Sequence, residues 1–503
     1  MPSKPEHYLP LSTADNGAVD ADTSIYGSNI QHPRQAPGRG RRLRIGIWVS
    51  LALLISVGFW GYGYRPIRCS SAFRPNSDLQ NAAPTVPSLG LKKKIQQGWG
   101  PYSPYFPSAK YSTPPVNCDI IQVNLLQRHG ARYPTAKASE DIQKSVKKLR
   151  KAKHHKHKSV KFLENYKWNL GQDDLVPFGA AQSFEAGWVH FKRYEHLIDE
   201  GNLPFVRASG ADRVIMSALN WTAGFAAANK QVYTPKLSVI ISETANDTLD
   251  NAMCPACERS VVDADAWRAK FTVPIEHRLK KTLPGVKLSP SDITNIMSLC
   301  AFETVAYEEP SPFCGMFTTH EFQSYEHDEG LKKYYYTGYG NEFGRVQGVG
   351  YVNELLARLT GTPVDDHTQT NSTLDLSPET FPLNRTFYAD FSHDNTMVAI
   401  YGALGLFPQK QAPSNSKIEH HRTWRMSRLV PFSSRMTTEK LQCNVPGGTK
   451  DFVRILVNDV VQPLGFCGAG DDGLCELEAF VASQAYARGG GGGDWEKCGT
   501  VLQ

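Results

Sequence analysis

A strand that runs straight into charge sets the terms for this fold. Ile120-Ile121-Gln122-Val123-Asn124-Leu125-Leu126 has the β-branched and aliphatic content of a buried strand. Arg128-His129-Gly130-Ala131-Arg132-Tyr133-Pro134 follows almost at once. A guanidinium is almost never buried without an anionic partner. Two arginine forks flanking one histidine suit the oxygens of a phosphate, since each fork can bind two at a time. The histidine between them is then placed to attack phosphorus. Gly130 permits close backbone approach or a positive φ, and Pro134 stops the extended segment. The competing reading is an exposed basic turn.

A second stretch favours the phosphate reading. Phe387-Tyr388-Ala389-Asp390-Phe391 has strand character, runs into Ser392-His393-Asp394-Asn395, and continues into the apolar run Met397 to Leu404. That order predicts strand, polar turn and helix. Ligands of open α/β sheets sit at the carboxyl ends of strands, so the two polar clusters can share one crevice although far apart in sequence.

Arg128 to Pro134, taken with His393-Asp394, resembles the histidine acid phosphatases, and within them the fungal phytases. Trp99 to Phe106, Phe205 to Gly210, Gln347 to Tyr351, Tyr388 to Asn395 and Gly493 to Cys498 are similar to the same subgroup, so the likeness spans residues 97–503. It implies an α/β, phosphoglycerate-mutase-like open sheet flanked by helices, with a smaller, mostly helical cap largely from 136–203 and 240–325. It implies His129 as nucleophile, forming a phosphohistidine that water hydrolyses. Arg128, Arg132, Arg207 and His393 would hold the phosphoryl group, and Asp394 would give the leaving alkoxide its proton. Cationic neighbours disfavour protonation of His129, and like charge from bound phosphate favours protonation of Asp394. The design suits acidic pH and calls for no metal and no cofactor. Asp394 is also a candidate N-cap of the following helix.

The resemblance points to inositol phosphates, above all phytate, as the small-molecule partner. Lys332-Lys333 before Tyr334-Tyr335-Tyr336 matches the substrate-pocket lysines of fungal phytases. The further lysines expected after the catalytic motif are not clearly present. Lys137-Ala138-Ser139-Glu140-Asp141 stands there instead, and its carboxylates oppose a polyanion. A broad-specificity acid phosphatase is therefore the alternative. Phosphoglycerate mutases share the Arg-His-Gly core, but the cysteines, the glycosylation sequons and His393-Asp394 argue against them. A membrane glycoprotein that binds phosphorylated ligands without turnover needs neither nucleophile nor acid.

Composition fits this picture. The net charge of +6 is modest and no nucleic-acid reader motif is present, so no nucleic-acid partner is expected. Ten cysteines suit an oxidising compartment. The resemblance implies Cys118–Cys443, Cys300–Cys314 and Cys467–Cys475, with Cys498 joined to Cys254 or Cys257 and Cys69 left over with the other. Cys254-Pro255-Ala256-Cys257 has redox-motif spacing but no thioredoxin-like context. Asn220, Asn246, Asn371 and Asn384 head N-glycosylation sequons. His154, His155 and His157 in the basic run Lys144 to Lys158 read as a solvated face or loop, with metal binding or a positive rim as sharper alternatives. The glycine runs at 489–493 and 338–340 lack the full form of a nucleotide loop.

Residues 1–44 read as a disordered cytosolic tail ending in basic residues. The uncharged apolar run 45–64 is long enough to cross a bilayer. Its basic N-terminal flank implies a type II signal anchor with the catalytic domain lumenal or extracellular. Secretion after cleavage is the alternative. Residues 65–98 read as a stalk, and 99–503 as the catalytic domain.

Overall fold

The computed structural model describes residues 84–259, 262–419 and 421–499. The tail, the apolar run 45–64, Cys69 and most of the expected stalk lie outside the described residues, among which no helix is long and apolar enough to cross a membrane.

The architecture is α/β, built on a mixed sheet. Strands β1 (Cys118–Arg128), β2 (Phe205–Ser209), β3 (Leu237–Ile241) and β4 (Phe387–Ser392) are parallel. Strands β5 (Arg435–Val445) and β6 (Gly448–Val457) form an antiparallel hairpin on the other side of β1, followed by the short β7 (Val460–Val461) and β8 (Cys475–Glu476). The order is β3-β2-β4-β1-β5-β6-β7, with β8 also beside β6. β1 therefore lies between parallel β4 and antiparallel β5.

Helices α2 (Pro177–Tyr194) and α3 (Asp212–Ala228) cover one face, while α7 (Val349–Thr360) and α8 (Asp394–Leu404) cover the other. The period of two in a strand divides the side chains between them. Phe387, Ala389 and Phe391 of β4, with Val206 and Ala208 of β2, pack with Trp221 and Phe225 of α3. Tyr388 and Phe205 pack with Val352 and Leu355 of α7 and Met397 of α8. Both faces are covered by helices, so β2 and β4 are buried throughout and show no polar alternation. Each large apolar side chain fully buried there contributes about 1.5–3 kcal/mol.

A second, helical core joins α1 (Ala136–Leu149), α4 (Val262–Thr282), α5 (Pro290–Tyr307) and most of α6 (Thr319–Tyr336). Local chemistry fixes its helix starts. Ser289 and Asp292 form a capping box before α5, with Pro290 in its first turn. Thr318 and Glu321 do the same before α6.

Two expected boundaries shift. Besides 136–149 and 262–336, the helical layer takes in Val160, Leu163, Leu170, Val176 and Phe178, whereas the later part of α2, expected in the cap, packs on the sheet through Ala186, Phe191 and Tyr194. The folded body also begins before residue 99, because Leu89 is buried in the helical core with Val86 and Leu91 against it. Four disulfides form: Cys118–Cys443 between the start of β1 and the end of antiparallel β5, Cys254–Cys498, Cys300–Cys314 and Cys467–Cys475. Cys254, not Cys257, takes Cys498. Cys257 Sγ lies 2.8 Å from Gln347 Nε2 and 3.0 Å from Tyr336 O.

Candidate active site

β1 and β4 run side by side and end level, with Arg128 opposite Ser392. The polar residues that follow each strand therefore meet. The His129 backbone N–H donates to Ser392 O at 3.0 Å. A Cβ on Gly130 would come within 2.2 Å of Gly179 O, so only glycine lets the start of α2 press against this loop. The Gly130 N–H donates to Ser217 Oγ and the Ala131 N–H to Gln182 Oε1, each at 3.0 Å, which ties the loop to α3 and α2.

His129 is 1% exposed, and its Nδ1 lies 2.8 Å from Gly130 O. A carbonyl can only accept, so Nδ1 carries the hydrogen and Nε2 keeps its lone pair. Burial pushes the imidazolium well below its ordinary range, and the charges of Arg128, Arg132 and Arg213 push the same way. The ring stays neutral and nucleophilic in acid.

Arg128 is fully buried, with Nη1 donating to Val430 O at 2.7 Å and also to Pro101 O. Its Nη2 lies 3.2 Å from Asp394 Oδ2. Arg132 donates to Tyr133 O at 2.8 Å, and burial lowers its pKa to about 10, helped by the repulsion of Arg213. Three guanidiniums thus bear on one histidine with few carboxylates to neutralise them.

The third is Arg213, not Arg207. Arg207 sits mid-strand and points to the α7 face, where Asp390 Oδ1 accepts from its Nε at 2.8 Å and Glu354 Oε2 from its Nη2 at 2.5 Å. Arg358 completes the network, 2.6 Å from Asp390 Oδ2. Burial alone would lower the Arg207 pKa, but Asp390 and Glu354 raise it well above the usual range. Its fork is spent on carboxylates and it does not reach the site. Arg213, in the first turn of α3, places Nη2 3.4 Å from His393 Nδ1. The signal was an arginine just past the Ser209-Gly210 turn, where a strand-end crevice draws its ligands.

His393 is the N-cap residue of α8, and Asp394 is its first residue, so Asp394 is not the N-cap. The rings of His129 and His393 lie edge to face, 5.7 Å apart. His393 Nε2 meets Glu243 Oε1 at 2.8 Å, a partner the sequence reading missed. Asp394 Oδ2 pairs with Lys333 Nζ at 2.8 Å as well as with Arg128. Burial pushes the Asp394 carboxyl up, but Arg128 and Lys333 hold it well below the usual range, so it is ionised in the empty site.

The twin lysines diverge. Lys333 reaches the site, and burial lowers its pKa against the pull of Asp394. Lys332 turns to Asp328, at 3.2 Å, and to Glu329. Lys137 likewise pairs with Asp141 at 2.9 Å.

In the basic run, His155 Nε2 contacts Leu149 O at 3.2 Å and His157 Nδ1 contacts Ser159 Oγ at 2.8 Å. Among the described residues no three His, Cys, Asp or Glu side chains gather as a metal site. Of the sequon asparagines, Asn246 and Asn384 are exposed, and Asn220 and Asn371 are half-buried.

Residues 119–458 match the model of the histidine phosphatase superfamily, branch 2, and the chain belongs to that family. It is 41% identical over 476 residues to phytase A of Aspergillus fumigatus, covering 90% of this chain and 99% of that one. It is 40% identical over 423 residues to phytase A of Aspergillus oryzae, covering 80% and 90%. Among solved structures it is similar to the phytase from D. castellii, with a TM-score of 0.64, 21% identity and coverage of 82% and 91%. It is also similar to the multiple inositol polyphosphate phosphatase of Bifidobacterium longum in complex with inositol hexasulfate, with a TM-score of 0.58, 14% identity and coverage of 76% and 96%. The two solved structures support the fold.

Proposed function

We propose that this chain hydrolyses phosphomonoesters at acidic pH through a phosphohistidine at His129, with phytate as principal substrate. The observation that carries the reading is the His129 ring, its Nδ1 tied to Gly130 O and its free Nε2 among Arg128, Arg132 and Arg213. The arginines and His393 hold the equatorial oxygens of the phosphoryl group, leaving one face open to in-line attack. Nε2 attacks phosphorus and the ester oxygen leaves with the proton of Asp394. Water then attacks the phosphohistidine and releases phosphate.

Asp394 must be protonated to act as acid. In the empty site its two cationic partners keep it ionised. A bound phosphate dianion competes for Arg128 and Lys333 and adds like charge, and both effects raise the carboxyl pKa. Substrate binding therefore favours the uptake of a solvent proton by Asp394. The phytase relatives at about 40% identity support the choice of phytate. One observation favours a broader phosphatase: Asp328 and Glu329 neutralise Lys332, which leaves a less basic rim for a polyanion.

The apolar run 45–64 with its basic flank supports a type II anchor that holds the catalytic domain in the lumen or outside the cell. Four disulfides suit that oxidising side.

The test is phosphate release from phytate and from an aryl phosphate at pH 5 with chelator present, using the chain made in a eukaryotic secretory host. Release from both that vanishes in His129→Ala supports the mechanism, and the phytate-to-aryl ratio decides the substrate class. Folded protein that releases phosphate from neither would overturn the reading.

A further inference from the structure

Glu243 lies two residues beyond the end of β3 at Ile241, at the edge of the sheet where β1 and β4 deliver His129 and His393. Its position is held by other groups. Oε1 accepts from the Ala211 N–H at 3.1 Å and from Ser209 Oγ at 2.9 Å, both at the exit of β2. The same oxygen lies 2.8 Å from His393 Nε2. A carboxylate only accepts, so Nε2 carries a hydrogen. On the other side of the ring, Nδ1 faces Arg213 Nη2 at 3.4 Å. A guanidinium only donates, so Nδ1 is an acceptor and the ring is neutral in the empty site.

This arrangement is wrong for holding phosphate and one proton away from being right. When an anion draws Arg213 to itself, Nδ1 faces the same anion and must donate to it. The charge of Glu243 then stabilises the imidazolium from behind.

We propose that Glu243 is the positioning residue for His393, fixing its ring through Nε2 and supporting the protonated ring that donates from Nδ1 to a phosphoryl oxygen. The proposal rests on the phosphohistidine reading given above. The proton balance closes with the substrate. The monoanionic phosphate group abundant in acid transfers its proton to Nδ1, becomes the dianion, and is held by the donor it has created.

The charged groups around the pair agree. Arg213 faces it from α3 and His129 from the end of β1, while Asp247 and Asp250 share the loop of Glu243, and Asp394, next to His393 in the chain, turns to Arg128 and Lys333. Asp247 does not compete as an anion, because burial and the charges of Asp250 and Glu243 raise its carboxyl well above the usual range. Ser209 Oγ lies 2.8 Å from Asp247 Oδ2 and 2.9 Å from Glu243 Oε1, so its single hydrogen is shared between the two carboxyls. Burial pushes Glu243 up, but the bonds to His393 and Ser209 bring it down to about 2. Glu243 is therefore the charged carboxylate of the chain Asp247, Ser209, Glu243, His393.

The experiment compares wild type with Glu243→Gln and Glu243→Asp. It reads kcat and KM against pH, inhibition by inorganic phosphate, and thermal unfolding. Removing the charge withdraws support from the donating ring, so the alkaline limb of activity moves to lower pH. We expect a shift of about one unit, phosphate inhibition about tenfold weaker, and a kcat loss of about ten- to a hundredfold, with unfolding unchanged. Glu243→Asp keeps the charge on a shorter reach, so its limb stays in place while kcat falls. If Glu243→Gln does not fold, Glu243→Asp alone decides, and a wild-type kcat there overturns the proposal. A Glu243→Gln enzyme with an unshifted limb and unchanged phosphate inhibition also overturns it, even if less stable. Inactive wild type would instead defeat the parent reading.

Discussion

Arg128 at the end of β1 and Arg207 inside β2 are both buried on the same sheet, and both precede a turn in the sequence. Around Arg207 the charges are matched: Arg207 and Arg358 against Asp390 and Glu354. Around His129 they are not: Arg128, Arg132 and Arg213 face chiefly Asp394, itself shared with Lys333. A matched network is rigid and has no donors left for a ligand. An unmatched one holds cationic charge in a buried pocket suited to an anion. The distinction between a structural and a ligand-binding arginine lies in the carboxylates that reach it, not in the arginine.

The largest expected effect separates the two clusters directly. Arg207→Ala leaves Asp390 and Glu354 buried against one remaining arginine, so stability falls by about 3–5 kcal/mol, as denaturant unfolding would read. Arg213→Ala does the reverse. It costs about 10²–10³ in kcat/KM for any phosphomonoester, with a melting temperature within about 2 °C of wild type. A fully active Arg213→Ala enzyme, or a catalytically dead but stable Arg207→Ala enzyme, would break the comparison.

The lysines sharpen it on a smaller scale. Lys333→Ala removes a phosphate-facing cation and a partner of Asp394, so kcat/KM for phytate falls by about tenfold. Lys332→Ala, whose charge Asp328 and Glu329 already absorb, changes it by less than about twofold. Equal losses in steady-state assays would show that Lys332 reaches the substrate after all.

The smallest effect is in acid stability. Burial pushes Asp390 up, but Arg207 and Arg358 bring it down to about 2 from an ordinary 3.8. A depressed carboxyl stabilises the fold above its unfolded pKa and loses that contribution as pH falls through the folded value. The matched cluster therefore contributes about 2 kcal/mol that disappears between about pH 4 and pH 2. Unfolding curves across that window should show the slope, and Asp390→Asn should flatten it.

Much of this was legible in the sequence, for reasons specific to each element. Arg128 to Pro134 and His393-Asp394 stood out because charge directly after an apolar strand has no place in a core. Arg207 was misread because Phe205 to Ser209 is buried throughout, so the strand carries no polar alternation to show which face the arginine takes. Its partners Glu354 and Asp390 lie far along the chain and meet it only in the fold. The fate of Lys332 was readable, since Asp328 and Glu329 stand four and three residues before it on one helix. The choice of Cys254 over Cys257 was not, because the two are separated by a single turn. Glu243 escaped notice because a lone glutamate after a strand carries no motif.

The most direct test of the account is to trap the covalent enzyme. Wild type and Asp394→Asn would be mixed with phytate at pH 5, quenched in base, where phosphohistidine survives, and mapped by mass spectrometry. The expected result is a phosphoryl group on the peptide carrying His129, bound at Nε2 and absent from His129→Ala. Turnover with no phosphoryl group on His129, or with the label on another residue, would contradict it.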